Sequence, residues 1–116
     1  MAIASSSPAF WVEGHLERLG LADQLACVVC RSDLVPAKPD PTVYRLALAG
    51  LGCDPARSVA VEDSPHGIAA ATGAGLFTVA VPHGLTVDLD LSAADVVLSS
   101  LEETTLARAL ADAERR

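Results

Sequence analysis

Ser58-Val-Ala-Val-Glu-Asp-Ser-Pro-His-Gly-Ile-Ala-Ala-Ala-Thr-Gly-Ala-Gly75 carries the clearest local pattern in the chain. Val59, Ala60 and Val61 form an apolar run too short for a helix. Two adjacent carboxylates, Glu62 and Asp63, follow at once, which predicts a buried strand ending in acid. Ser64 and Pro65 sit where a helix takes its N-cap and first-turn proline. Ile68 and Ala71 then fall at helical spacing before Gly73 and Gly75 close the segment. A strand therefore passes into a helix with the acids at the turn. Ligands of an open α/β sheet bind at the carboxyl ends of its strands, so Glu62 and Asp63 stand where chemistry is usually done. Side by side in a dry crevice, two carboxylates repel by about 4 kcal/mol at ~4 Å and an effective dielectric near 20. A hard divalent cation such as Mg²⁺ relieves that repulsion. The plainer reading is that both acids only complement the helix dipole.

The same strand-to-helix turn recurs at the start of the chain. Ala2-Ile3-Ala4 is a short apolar run, followed by Ser5, Ser6 and Ser7 and by Pro8, placed to open a helix. Val12, Leu16 and Leu19 then lie four and three apart and predict one buried helical face, ended by Gly20. Ala26 to Cys30 reads as a second buried strand, and the proline-rich stretch from Arg31 to Pro41 as a loop that carries Lys38. From Pro41 the spacing of Val43, Leu46, Ala47, Gly50 and Leu51 predicts a helix, with Asp40 as its cap. Phe77 to Val81 and Val96 to Leu98 are further strands. Leu101 to Arg116 reads as one closing amphipathic helix, with Leu106 and Leu110 on a common face. Strands alternating with helices imply right-handed crossovers and a doubly wound, Rossmann-like α/β fold: a parallel sheet with helices on both faces, in one domain over residues 1–116.

Composition narrows the function classes. The net charge is −7 and the basic residues are scattered apart from Arg115 and Arg116, so neither nucleic acid nor an anionic membrane is an expected partner. No apolar run reaches membrane-spanning length and no signal peptide opens the chain, which predicts a cytoplasmic protein. The three cysteines, Cys27, Cys30 and Cys53, are expected to be reduced. Cys27 and Cys30 stand three apart on a strand and so face opposite sides, which rules out joint chelation of one metal.

With Ala-Ile-Ala-Ser5-Ser6-Ser7, Lys38-Pro39-Asp40-Pro41 and Glu62-Asp63-Ser64-Pro-His-Gly in this order, the chain resembles the later part of a haloacid dehalogenase-like hydrolase. The likeness is greatest to the branch containing phosphoglycolate phosphatase and β-phosphoglucomutase. Three of that family's four motifs are matched. The resemblance implies that Ser5 holds a phosphoryl oxygen, with Ser6 and Ser7 beside it, and that Lys38 neutralises charge on the nucleophile and on the phosphoryl group in transit. It implies that Asp63 ligates Mg²⁺, with Glu62 a second direct or water-mediated ligand and Ser64 supporting them. The implied substrate is a small phosphorylated metabolite, and the implied route passes through an aspartyl-phosphate. Taken alone, Ser5 to Ser7 read equally as a helix cap and Lys38 as a solvated lysine, although it is the only lysine in the chain.

The family's first motif, a strand ending in Asp-x-Asp that supplies the nucleophile, is not matched. Asp88-Leu89-Asp90 has the letters but lies late, in a predicted loop, and a nucleophile must be held by a rigid element. The helical cap that selects substrate in the family is also unmatched. The resemblance therefore implies an incomplete core that lacks its central nucleophile strand and is inactive in isolation. The two strands ending at Ser5 and Glu62 would then have unpaired inner edges, at roughly 1 to 3 kcal/mol for each buried group without a partner. The expectation is that these strands close on each other, or that a second copy or a complementing N-terminal fragment pairs with them, or that the chain is marginally stable. A rival reading is a non-catalytic remnant or split-gene module that binds Mg²⁺ or phosphate, or serves as an assembly partner.

Overall fold

A computed structural model describes all residues from Met1 to Arg116. The chain forms β1 (Ala2–Pro8), α1 (Ala9–Arg18), β2 (Cys27–Arg31), α2 (Thr42–Leu51), β3 (Val59–Glu62), α3 (Pro65–Gly73), β4 (Phe77–Ala80), β5 (Val96–Val97) and α4 (Leu106–Glu114), with three short 3₁₀ turns between them. All strand pairs are parallel, as right-handed βαβ crossovers require. The α/β reading is therefore met, but the strands make two sheets and not one: β1 pairs only with β2, and β3-β4-β5 form a separate three-stranded sheet. The facing edges of β1 and β3 do not bond to each other. Of the three expected outcomes, closure of the sheet across the gap is the one the structure excludes.

The halves stay together because helices bridge them. Val43, Tyr44 and Leu48 of α2 pack with Ala70 and Ala71 of α3 and with Leu76. This cluster reaches Ala60 on β3 and also Ala4 and Val29 of the other sheet. On the opposite face, Ala109 and Ala113 of α4 cover Phe77 and Val79. The core is small, with 20 of 116 residues buried. Exposed surface is 7023 Å², against about 5,900 Å² for a compact monomer of this mass. The chain thus keeps more surface in solvent than a compact monomer of its mass, and its two sheets share no hydrogen bonds.

Local structure follows the chain's own caps. Ser64 accepts a hydrogen bond from the Gly67 amide (3.3 Å) and Pro65 opens α3. Asp40 accepts from the Thr42 amide (2.9 Å) and from its hydroxyl, and these bonds hold its carboxyl below the usual aspartate range. The closing segment departs from expectation. Ser100 and Thr105 each cap a separate element, so Leu101–Glu103 is a 3₁₀ turn and α4 starts only at Leu106. Its buried face is Ala109 and Ala113, while Leu106 is 62% exposed. Leu19 and Leu46 also lie outside the core, and β2 is a half-exposed edge strand instead of a buried one.

Candidate active site

The acids of β3 are brought to one end of the sheet together with the lysine loop. Glu62 is 7% exposed, and its Oε1 accepts from two donors, Lys38 Nζ and the Tyr44 hydroxyl. Lys38 also lies over the Tyr44 ring, 4.9 Å from its centroid. The lysine is placed from behind: its backbone N–H donates to Ser6 Oγ (3.0 Å), tying the loop to the end of β1. A single chain of contacts thus runs Ser6, Lys38, Glu62 and spans the gap between the sheets at their carboxyl ends. Lys38 is therefore not a solvated lysine; its side chain is 13% exposed.

The three serines at the end of β1 make different contacts. Ser5 Oγ accepts from the Ser7 amide (3.1 Å) where the register of β1 against β2 shifts between Ser5 and Pro8, and Ser6 Oγ accepts from the Lys38 backbone amide. The Ser7 hydroxyl has no protein partner. Asp63 points the other way from Glu62: it is exposed, and its Oδ2 lies 3.2 Å from His83 Nε2. Lys38, Glu62, Asp63 and His83 line one concavity of about 360 Å³, walled by Val61, Val81 and Leu101. His66, on the first turn of α3, is exposed and does not line it.

Three residues of this site were not singled out from the sequence. Tyr44 sits one turn into α2, and only the fold places its hydroxyl on Glu62. Burial raises the Tyr44 phenol well above its usual range, reinforced by the Glu62 charge, so it remains a donor. His83 reaches Asp63 from the loop after β4. Gly67 is recognisable as a glycine inside a helix, where it costs about 1 kcal/mol relative to alanine; the structure supplies the reason. A Cβ on Gly67 would lie 1.8 Å from Glu62 Oε2.

The Tyr44 shift has a measurable consequence. Above about pH 10 an unfolded chain releases the phenolic proton while the folded chain keeps it. The folded state then binds more protons, so stability falls as pH rises past that point, by up to about 1.4 kcal/mol per unit. Urea unfolding between pH 8 and 11 is expected to show this decline in the wild type and a flatter profile in Tyr44→Phe.

The donor types suit a hard divalent cation: two carboxylates, one of them exposed with Oδ1 free of protein partners, at the mouth of a concavity. They are too few to complete its coordination. No group of three or more acidic, histidine or cysteine side chains is arranged to hold a metal.

The family model of "Haloacid dehalogenase-like hydrolase" matches residues 1–81. The chain belongs to this family. Among curated relatives, validoxylamine A 7'-phosphate phosphatase of Streptomyces hygroscopicus subsp. limoneus is 36% identical over 106 residues, covering 89% of this chain and 48% of the relative. The β-phosphoglucomutase of Bacillus subtilis (strain 168) is 35% identical over 91 residues, covering 78% of this chain and 38% of the relative. The crystal structure of CbbY from Rhodobacter sphaeroides in complex with phosphate superposes with a TM-score of 0.80 at 33% identity, over 85% of this chain and 45% of that one. This haloacid dehalogenase-like chain spans about half the length, or less, of the relatives it matches. No helix is long and apolar enough to cross a membrane.

Proposed function

We propose that this chain supplies the phosphate- and metal-binding half of a Mg²⁺-dependent phosphoryl-transfer site for a small phosphorylated metabolite. The observation that carries this reading is the Ser6–Lys38–Glu62 chain of contacts beside Asp63 at the carboxyl ends of β1 and β3. In this reading the Ser5–Ser7 stretch holds phosphoryl oxygens through its amides and hydroxyls. Lys38, oriented by Glu62 and Tyr44, places a fixed positive charge where negative charge builds up. Asp63 holds the Mg²⁺, with Glu62 reaching it directly or through water and Ser64 fixing the turn behind both. The ion would screen the approach of one anion to another.

The nucleophile belongs in the slot between β1 and β3. An apolar parallel strand ending in Asp-x-Asp, brought by an N-terminal fragment or a second copy, would pair with both free edges. It would set its carboxylate between the serines and Asp63. Residues 1–116 act here as one core domain, and a cytoplasmic location is part of the same reading. The relatives named above include a phosphatase and a phosphomutase, and the proposed half-site is compatible with either chemistry.

The test is hydrolysis of p-nitrophenyl phosphate in Mg²⁺ by the chain joined to a family strand ending in Asp-x-Asp. Turnover is expected there, with a loss of at least about a hundredfold in Lys38→Ala or Asp63→Asn, on the scale of removing one electrostatic stabiliser. Turnover indifferent to both substitutions would overturn the assignment.

A further inference from the structure

We infer that the face between α1 and α4 is a docking groove for one amphipathic helix, the helix that leads from the slot strand into β1. The inference rests on the reading of the slot as the place of a nucleophile strand. The two faces of the slot differ. Ala4, Val29 and Ala60 pack with α2 and α3. Side chains alternate along a strand, so Ile3, Val28 and Val61 turn to the opposite face. The chain steps outward from β1 to β2 through α1 and back to β3 through α2, so right-handed crossovers put α1 on that opposite face. There α1 packs on β1 and β2, and Ala109 and Ala113 of α4 pack with Val59. Between the two helices Val61 is 55% exposed, beside Ala60 at 4% on the closed face. Parallel strands are ordinarily covered on both faces, which makes this valine an exception.

Both walls of the groove carry apolar stripes. Trp11, His15 and Leu19 recur every four residues on α1, and Trp11 stacks edge-on against His15 with 4.6 Å between ring centroids. Glu13 is on the other flank of α1, toward β2: burial raises the Cys30 thiol and the Glu13 charge adds to it. The stripe therefore lies on the slot side of α1. Leu106 and Leu110 recur likewise on α4, in line with Glu114, which pairs with Arg57 in the turn before β3 (3.0 Å). Because β3 is the slot edge of its sheet, the two leucines also stand on the slot side. Trp11, Leu19 and Leu106 are each more than half exposed. Connectivity then selects the occupant. A slot strand that leads into β1 steps in the same direction as β1 into β2, so its crossover lies on the same face as α1. Such a crossover takes a dozen or more residues, usually a helix. Apolar grooves accept helices through anchors spaced i, i+3, i+4 and i+7, which the two facing stripes and Val61 suit.

Trp11 is the only tryptophan of the chain, so its fluorescence reports the groove by itself. Two designed segments are added to the 116-residue chain: an apolar strand ending in Asp-x-Asp, and the same strand followed by a flexible linker and an amphipathic helix of about three turns. The strand with its helix should shift the Trp11 emission to the blue and protect it from acrylamide, and the strand alone should do neither. Leu106→Ser should weaken the strand-helix segment about tenfold, the effect of losing one buried aliphatic contact, and leave the strand alone unaffected. Leu34→Ser, on an exposed turn of the Lys38 loop, should change neither. Trp11 emission that the helix leaves unshifted, or binding indifferent to Leu106→Ser, overturns the inference; protection of the slot-facing amides by either segment then still supports the strand reading. A chain that sediments alone as a dimer with Trp11 already shielded assigns the groove to a second copy and also overturns it. If neither segment protects the slot-facing amides, the strand reading falls and this inference with it.

Discussion

Lys38→Ala is expected to destabilise the chain by about 3 kcal/mol, an effect that needs no substrate to be seen. The substitution leaves Glu62, 7% exposed, without its cation. Breaking a buried ion pair by removing one partner costs about 3 to 5 kcal/mol, because the remaining charge stays out of water. The opening of the concavity beside Glu62 admits some solvent and keeps the loss near the lower figure. A domain of this length is stable by roughly 6 to 17 kcal/mol, and a core of 20 buried residues argues for the low end. The loss should therefore be about half of the total, visible as a large drop in the urea midpoint at pH 7. Adding Glu62→Gln should recover part of it, since the amide brings no charge to bury. A Lys38→Ala midpoint within error of the wild type would mean that the lysine is solvated and that the contact chain from Ser6 to Glu62 does not hold the halves together.

Gly67→Ala should also destabilise, against the helix propensity that favours alanine by about 1 kcal/mol. The new methyl would meet Glu62 Oε2 at 1.8 Å and its Cδ at 2.2 Å. The backbone of α3 need not move, because the atoms it meets are the far end of a flexible side chain. The cost arises in what that side chain must give up: swinging away breaks the hydrogen bonds from Lys38 and Tyr44 together. Charge-assisted bonds are worth about 1.5 to 3 kcal/mol each, so a net loss of about 2 kcal/mol is expected after the propensity gain. Thermal unfolding measures it, and in Gly67→Ala the alkaline decline caused by Tyr44 should weaken because its acceptor has left. An increase in Tm would show that Glu62 does not occupy the position over α3.

The strand and helix around Glu62 were readable because their signals are local. Val59 to Val61 is strand-length, Ser64 is a cap and Pro65 a first-turn proline, and the structure uses each in that role. The loop carrying Lys38 is met with one shift: Pro41 occupies the N-cap of α2 in place of the first turn, and Asp40 before it accepts from the Thr42 amide and hydroxyl. What could not be read lies at long range. Nothing near Tyr44 says that its hydroxyl meets an acid 18 residues later. Nothing near His83 says that its loop folds back onto Asp63. The closing segment departs from its spacing for a different reason: Leu106 and Leu110 have helical spacing, but two successive caps at Ser100 and Thr105 break the run, and Ala109 and Ala113 face inward. The separation of β1 from β3 is implied in the sequence only by the unmatched family motif, since neither strand carries a local mark of it.

Amide hydrogen exchange along β1 and β3, measured with and without a strand-bearing segment, reads directly whether their inner edges are free to take a strand. Alternate amides of a parallel strand face alternate edges, so each strand has one set bonded to β2 or β4 and one set facing the slot. In the chain alone the slot-facing amides should exchange freely while the other set is protected. On addition of an apolar strand ending in Asp-x-Asp they should become protected together, on both sides of the gap. Protection of both sets in a monomeric chain without that segment would contradict the account: β1 and β3 would then be paired with each other, and no room would remain for a nucleophile between Ser5 and Asp63.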